Sequence, residues 1–182
     1  MNTKIYQTLL ISVDTIKTNT NISDNLEDKV LYPAIQRAQD IELQSVIGTD
    51  LYRALQSKIY NNEITTVENE NYKYLLDVFV QPYLLELVLS NIIFEAAGTI
   101  HNAGLIQPSD NHFYQVDKAN REILQDQHRQ FASHYQRMLQ SYIKENRDLF
   151  VELDNNNLDY LQPEQLNSSA NTDIWLGGIV GK

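Results

Sequence analysis

Apolar residues recur at helical spacing over most of the first 150 residues of this chain. Side chains three or four positions apart lie on one face of an α-helix, so this spacing predicts helices that each bury one face. The clearest case is a long last helix, from about residue 114 to residue 146. Its predicted buried face carries Ala119, Ile123, Phe131, Tyr135, Met138 and Tyr142. The pattern predicts a mainly α fold, a compact bundle of about four helices.

Two earlier helices are predicted on either side of Gly48. The first begins near Leu31, with Asp28 as its cap and Pro33 in the first turn, and it ends at Gly48. The second extends from about Thr49 to Tyr60, because Leu51, Leu55 and Ile59 form one stripe and the polar sequence YNNE follows. These two helices and the glycine between them form one local unit.

A further helix is predicted to begin at the sequence TTVE, where Thr65 and Glu68 have the spacing of a capping box. Pro82 lies inside it, and an interior proline removes a backbone donor and clashes with the preceding turn. We therefore expect a kink or a break at Pro82. Residues 98 to 111 contain two glycines and a proline and are predicted to form a loop.

Length and composition favour one helical body with a tail. A chain of 182 residues, 42% of them hydrophobic, is long enough for one well-buried core and short for two domains. We expect the body over residues 1 to 150 and an extended C-terminal docking tail over residues 151 to 182, where periodicity is lost. The chain has no cysteine, which excludes disulfides and permits an intracellular setting.

The end of the tail combines the only tryptophan with several aliphatic residues after a polar, asparagine-rich leader. An extended peptide of this kind can add a strand to a partner's sheet edge and place alternate side chains in pockets. A disordered end with chance hydrophobic residues is the alternative. The predicted partner-binding residues are Ile174, Trp175, Leu176, Gly177, Gly178 and Ile179.

Charge is unevenly distributed along the chain. Fourteen basic and 24 acidic residues give a formal net charge of −10. Residues 62 to 113 carry seven acids against Lys73, which is −6, and residues 150 to 182 carry five acids against Lys182, which is −4. A protein that grips DNA presents a basic surface to the phosphates, so tight DNA binding is not expected.

Neither a secretory leader nor a membrane crossing is expected. The first 21 residues lack a long apolar centre and a small-residue cleavage site. The most apolar region, residues 83 to 97, is interrupted by Glu86, Asn91 and Glu95, whereas a membrane span needs about 20 mostly apolar residues.

No catalytic residue, cofactor site or metal site is predicted. The four histidines lack the spacing of three or four residues typical of helical zinc ligands. Clustered carboxylates lie at predicted helix starts, where they offset the helix dipole. No phosphate loop, dinucleotide fingerprint or serine nucleophile motif is present. Four tyrosines fall on apolar stripes and are predicted to pack in the core or between subunits: Tyr72, Tyr83, Tyr135 and Tyr142.

Four stretches together resemble phage head-to-tail connector proteins, also called adaptor or head completion proteins, especially those of crAss-like and related Bacteroidetes phages. They are LYPAIQRAQDIELQSVIGTDLYRAL at 31 to 55, LLDVFVQPYLLELVL at 75 to 89, HNAGLI at 101 to 106, and YQRMLQSYIKENRDLF at 135 to 150. The resemblance spans about residues 20 to 152.

That resemblance implies a non-enzymatic structural protein of the virion. It implies a ring, usually dodecameric, between the portal and the tail, which completes the head and continues the DNA channel. The implied partners are the portal protein, neighbouring copies of the chain and downstream tail or ring proteins. Genomic DNA would pass through without specific binding, and the protein would be in the host cytoplasm during assembly.

Two other functions are considered beside this one. The first is a soluble intracellular assembly chaperone or adaptor that binds one partner through the same tail and is absent from mature particles. The second is a small enzyme, for which titratable groups clustered in a deep pocket would be the sign.

Overall fold

Five helices build the part of the chain that the structure, a computed structural model, describes: residues 8–23, 26–95, 99–101, 104–106 and 118–154. A short helix, α1 (Val13–Asn19), precedes four longer helical runs. In the first run, α2 (Asp28–Arg37) continues through a π-helical segment (Ala38–Leu43) into α3 (Gln44–Ile47). The second run is α4 (Thr49–Tyr60). In the third, α5 (Glu70–Leu75) continues through a second π-helical segment (Leu76–Val80) into α6 (Gln81–Glu95), and the fourth is α7 (Lys118–Glu145). The mainly α fold is confirmed.

The core forms around α6, which is apolar on most of its circumference and lies between α2 and α7. A helix of this kind must be covered on several sides. Its Leu84 and Val88 are fully buried, as is Val80 at the end of the π-helical segment before it. The residues that cover it include Leu31, Ala34 and Ile35 of α2 and Leu139 and Ile143 of α7. Burial of α6 therefore fixes the positions of the two helices beside it.

The predicted helix pair around Gly48 is confirmed. The helix that begins at Asp28 ends at Ile47, and α4 extends from Thr49 to Tyr60. Gly48 has φ 82° and ψ 157°, a region that residues with a Cβ atom avoid. This single residue therefore lets the chain reverse without a longer loop.

The variant G48A is expected to lower the free energy of unfolding by about 1 to 3 kcal/mol, because alanine would be forced into that backbone region. Urea unfolding followed by circular dichroism measures the change. Asn62→Gly is the comparison, since the φ of 58° at Asn62 is one that asparagine and glycine both adopt. Equal stability of G48A and the unaltered protein would contradict this role for Gly48.

The predicted caps are wrong in detail. Asp28 is the first residue of α2 rather than its cap, and its carboxylate pairs with Lys17 Nζ at 2.9 Å. Pro33 lies in the second turn of α2 instead of the first. At the third helix, a 3₁₀ turn (Val67–Asn69) follows Thr66, so the proposed capping box of Thr65 and Glu68 does not form. Local sequence signals located the four longer helices, but neither α1 nor the hydrogen bonds at the helix ends.

Pro82 does not break its helix. The helical run is continuous from Val67 to Glu95, and the π-helical segment Leu76–Val80 ends just before the proline. There the N–H of Gln81 donates to the carbonyl of Leu76, five residues back. A π turn of this kind changes the local hydrogen-bond register of the helix. The helix therefore continues through a π turn at the position where we expected a kink or a break.

The predicted loop at residues 98 to 111 contains two short strands, β1 (Thr99–His101) and β2 (Gly104–Ile106). They pair antiparallel, with Thr99 opposite Ile106 and His101 opposite Gly104. Strand pairing in this glycine-containing stretch was missed because three residues are too few to show an alternating pattern.

Three glutamines hold the segment before α1 on the body. Gln39 is fully buried, its Oε1 accepts from the Leu10 N–H at 3.1 Å, and its Nε2 donates to the Thr8 carbonyl at 3.1 Å. Gln56 Nε2 also donates to the Thr8 carbonyl, and Gln81 Nε2 donates to the Leu10 carbonyl. These amides take the place of a neighbouring strand, because they bond the Thr8 carbonyl and both backbone groups of Leu10.

The end of the described body lies beyond α7. Two 3₁₀ turns (Arg147–Leu149 and Val151–Asp154) follow it, and Phe150 and Leu153 are buried. The hydroxyl of Tyr72 donates to Glu152 at 2.8 Å, which ties this segment to α5. Burial and this carboxylate raise the pKa of Tyr72. Packing thus continues past residue 150, while the division into body and tail stays a prediction.

Candidate interaction surface

The buried face of α7 differs from the predicted one. Its buried residues are Ala132, Leu139 and Ile143, none of which was predicted. Of the predicted face, Ala119, Ile123, Phe131 and Met138 are exposed, and Tyr135 and Tyr142 are half-buried. The prediction was wrong because α7 has two neighbouring apolar stripes, and the one with Ala132, Leu139 and Ile143 faces the core.

The second stripe is an exposed apolar surface. Leu124, Phe131 and Met138 are separated by seven residues each, so they lie along one side of α7. Their exposed fractions are 42%, 54% and 40%. Tyr135 and Tyr142 lie between this stripe and the buried face, and both pack on the core. We call Leu124, Phe131 and Met138 the α7 stripe.

An aromatic cluster ends the stripe near the C-terminal end of α7. Tyr142 stacks on Phe79, with ring centroids 4.5 Å apart, and its ring is 5.6 Å from that of half-exposed Tyr74. Phe150 contacts Tyr142 and Tyr72 at 6.3 and 5.3 Å. Packing of Tyr72, Tyr83, Tyr135 and Tyr142 on the core is as predicted. These ring contacts stabilise this end of the surface.

A groove of about 400 Å³ lies between the stripe and the aromatic cluster. Its floor is apolar, with Phe79, Met138 and Tyr142, and its polar rim consists of His134, Arg137, Ser141 and Glu145. Within the part of the chain that the structure describes, Arg137 makes no ion pair. An apolar floor with a cationic group at its edge suits an apolar side chain that is followed by an acidic residue.

A second protruding feature is the turn over residues 63 to 70. Val67 is 88% exposed, and Glu63, Glu68 and Glu70 are exposed beside it. Asn69 Nδ2 donates to the Glu63 carbonyl and to Thr66 Oγ1, each at 3.0 Å. Lys58 Nζ donates to Asn69 Oδ1 at 2.8 Å. We call residues 63 to 70 the acidic turn; these bonds fix its shape although its side chains face solvent.

A polar cavity of about 460 Å³ lies on the other side of α7, against the first π-helical segment. Glu42 lines it, and burial raises the pKa of this carboxyl group, while Asn91 and Arg129 oppose that rise. Tyr83 also lines it, and burial and the charge of Glu42 raise the pKa of its hydroxyl. The carboxyl group has an amide and a guanidinium as neighbours, an arrangement that stabilises a partly buried acid.

Histidines were not predicted to bind metal. Across the residues that the structure describes, no group of three or more histidine, aspartate or glutamate side chains could hold a metal ion. His128 Nδ1 lies 2.7 Å from Glu86 Oε2, which links α7 to α6. This contact joins two helices of the core.

One described helix, Val67–Ile93, is long and apolar enough to cross a membrane by length and composition. Its buried residues pack against α2 and α7, as those of the core helix of a helical bundle do.

The predicted docking residues Ile174, Trp175, Leu176, Gly177, Gly178 and Ile179 lie outside the described residues, as does everything after residue 154. The α7 stripe and the acidic turn were not predicted as sites. The seven-residue spacing of Leu124, Phe131 and Met138 is the sequence signal that could have indicated a second face on α7.

A family model described as a family of unknown function, DUF6712, matches residues 43–158, which is more than half of the 182 residues. The chain belongs to the DUF6712 family. The match begins in the first π-helical segment and includes α4, α6 and α7 with both surface features. Neither a curated protein nor a solved structure matches this DUF6712 protein. The family description assigns no activity, so the resemblance to connectors stays a prediction.

Proposed function

We propose that this DUF6712 protein is a structural, non-enzymatic component of a virion. It forms a ring, dodecameric as in the connectors it resembles, between the portal and the tail. The ring completes the head and continues the DNA channel. Residues 168 to 182 dock on the portal or on a neighbouring ring, and Ile174, Trp175, Leu176 and Ile179 supply the apolar contacts.

The exposed α7 stripe is the observation that carries this proposal. Three large apolar side chains spaced over 14 residues extend about 21 Å along the helix. A row of exposed apolar side chains along one side of a helix indicates a site of association. In a ring each copy would cover the stripe of the next, so one surface would be used at every subunit boundary.

Local structure in the resembling stretches also supports the proposal. Residues 31 to 55 form a helix, a glycine reversal and a second helix, and residues 135 to 150 form the end of α7 and its following turn. A rigid bundle of this kind is suited to repeated packing because its surface residues are held by a well-buried core.

Net charge supports passage of DNA without adhesion. Twelve copies at −10 each give a formal charge of about −120 before counterions bind. Acidic residues that face a channel repel phosphates, so DNA would slide without specific contacts. The same acids also keep a subunit soluble before assembly.

Energetics favour a tail that acts in several copies. Burial of four large apolar side chains yields roughly 1.5 to 3 kcal/mol each. Ordering about ten backbone residues costs roughly 1 to 2 kcal/mol per residue. Side-chain burial alone is therefore insufficient, and main-chain hydrogen bonds must contribute. A ring that presents several equivalent tails to a ring of sites gains further through effective concentration.

Deletion of residues 168 to 182 tests the proposal. The truncated protein is expected to keep the helical circular dichroism of the full chain and to be lost from portal-containing particles, measured as copies per particle by quantitative mass spectrometry. The matched control replaces residues 168 to 171, which are Ser, Ser, Ala and Asn, by glycine and keeps Ile174, Trp175, Leu176 and Ile179. This control protein should enter particles normally.

Normal incorporation of the truncated protein would contradict the docking role of the tail. Absence of the full-length protein from mature particles, combined with binding to a virion component during assembly, would instead identify an assembly chaperone or adaptor. Hydrolytic or transfer activity that is lost with Glu42→Gln would favour the enzyme alternative, since that carboxyl group lines the polar cavity.

A further inference from the structure

The acidic turn and the groove on α7 have complementary properties. The turn presents Val67, exposed over 88% of its surface, with Glu68 directly after it. The groove has an apolar floor of Phe79, Met138 and Tyr142. Because an exposed valine gains free energy when it is buried, and an aromatic floor can receive it, the two surfaces fit by chemistry.

Charge is complementary as well. The acidic turn contains Glu63, Glu68 and Glu70, with Lys58 bound to its Asn69, while α7 contains five basic and three acidic residues. Arg137 lies on the rim of the groove, with His134 near it and Glu145 at the other end. A valine docked in the groove with Glu68 on the Arg137 side would avoid Glu145 and bring opposite charges together.

Hydrogen bonds within the molecule also preorganise the acidic turn for binding. Side-chain bonds from Asn69 to Glu63 and Thr66, and from Lys58 to Asn69, fix its backbone before any partner arrives. A rigid loop loses little conformational entropy on docking, so more of the contact energy remains for association. If no partner bound the turn, these hydrogen bonds would fix Val67 in a position where its apolar side chain is almost fully exposed to water.

We infer that the acidic turn of one copy docks in the α7 groove of the next copy, with Val67 on the apolar floor and Glu68 beside Arg137. The inference rests on the proposed ring, and it names the contact that joins adjacent subunits. Two different patches meet in this contact, so it is heterologous and can be repeated around a closed ring.

Cross-linking between copies tests this contact, because the chain contains no cysteine of its own. One preparation carries V67C and a second carries M138C, and the two are mixed under mild oxidation. Docking holds the two thiols at an effective concentration on the order of mM, so the mixed disulfide should form about tenfold faster than in a control mixture. The control pairs M138C with V151C, whose position is exposed on another turn. Equal rates in the two mixtures would overturn the inference.

A charge exchange gives an independent measurement. E68R and R137E should each weaken self-association of the full chain about tenfold, measured by analytical ultracentrifugation, because each places like charges across the contact. A mixture of E68R with R137E should restore association, since every interface in an alternating ring then joins opposite charges. Failure of the mixture to recover would overturn the pairing of Glu68 with Arg137.

The outcomes separate this contact from the proposed function. Particles that contain the protein at normal copy number, without a disulfide between positions 67 and 138, would leave the connector function standing and contradict the contact. The mixed disulfide formed by a protein that never enters particles would contradict the connector function and retain the contact between copies.

Discussion

The variant F150A is expected to lower the free energy of unfolding by about 3 to 5 kcal/mol. Phe150 has no exposed surface, and its ring contacts Tyr72 and Tyr142 edge-on. Alanine would leave a cavity at the junction of α5, α7 and the last 3₁₀ turns. Urea unfolding followed by tyrosine fluorescence and circular dichroism measures the loss.

The neighbouring variant L149A is the matched control. Leu149 is 39% exposed, so its truncation should cost much less than that of Phe150. Similar losses for F150A and L149A would show that the segment after α7 is not part of the cooperative core. Our expectation follows from two further ties, the Tyr72 bond to Glu152 and the bond from Arg147 Nη2 to the Leu153 carbonyl.

A fixed segment after α7 matters for the proposed tail. The chain up to residue 154 is anchored beside α5 by the Tyr72 bond to Glu152 and by buried Phe150. If residues 168 to 182 dock as proposed, this anchoring raises their effective concentration near a partner ring. Loss of Phe150 would therefore reduce both stability and docking, whereas removal of residues 168 to 182 would reduce docking alone.

Some of this fold was predictable because the deciding interactions are local. Gly48 and the sequence YNNE bound α4, and both act within one turn of the helix ends. The bounds of α4 were predicted to the residue. The helix that contains Pro82 was also located, although its response to the proline was not, because a π turn depends on packing around the helix as well as on its sequence.

The orientation of α7 could not be predicted in the same way. Phe131 and Ala132 are about 100° apart around the helix, and both could face a core. The tightly packed contact with α6 accepts Ala132, and the larger Phe131 remains at the surface. The spacing of apolar residues predicts that one face of a helix will be covered. It does not show whether the same chain or another copy covers that face.

The tail was identified from composition, and its predicted contacts remain predictions. The α7 stripe and the acidic turn were missed because their importance depends on exposure, which a sequence does not state. In the acidic turn, only Ile64 and Val67 are apolar, too few to form a stripe. Only the folded chain shows that this valine projects into solvent from a turn fixed by Asn69.

The N-terminal anchor shows most clearly what a sequence pattern leaves out. Leu10 and Ile11 are buried, yet no periodic pattern includes them. The Leu10 backbone bonds Gln39 and Gln81, and the Thr8 carbonyl accepts from Gln39 and Gln56; the bonded residues are 29 to 71 positions apart in the sequence. Contacts over such separations depend on the tertiary fold, and glutamine is ordinarily a surface residue.

The variant L10A is expected to lower the free energy of unfolding by about 2 to 5 kcal/mol, because it removes a fully buried leucine from a site whose walls are fixed by helices. Its matched control is Leu9→Ala. Leu9 is only half-buried, so this truncation should lower the free energy of unfolding by less.

Hydrogen exchange gives a second measurement. The Leu10 amide donates to Gln39 and should be protected in the unaltered protein, and the amide of residue 10 should exchange faster in L10A. Slow exchange of this amide in L10A would show that the glutamines hold the segment without the leucine side chain. In that case the hydrogen bonds, and not apolar burial, would be the main attachment of the N-terminal segment to the bundle.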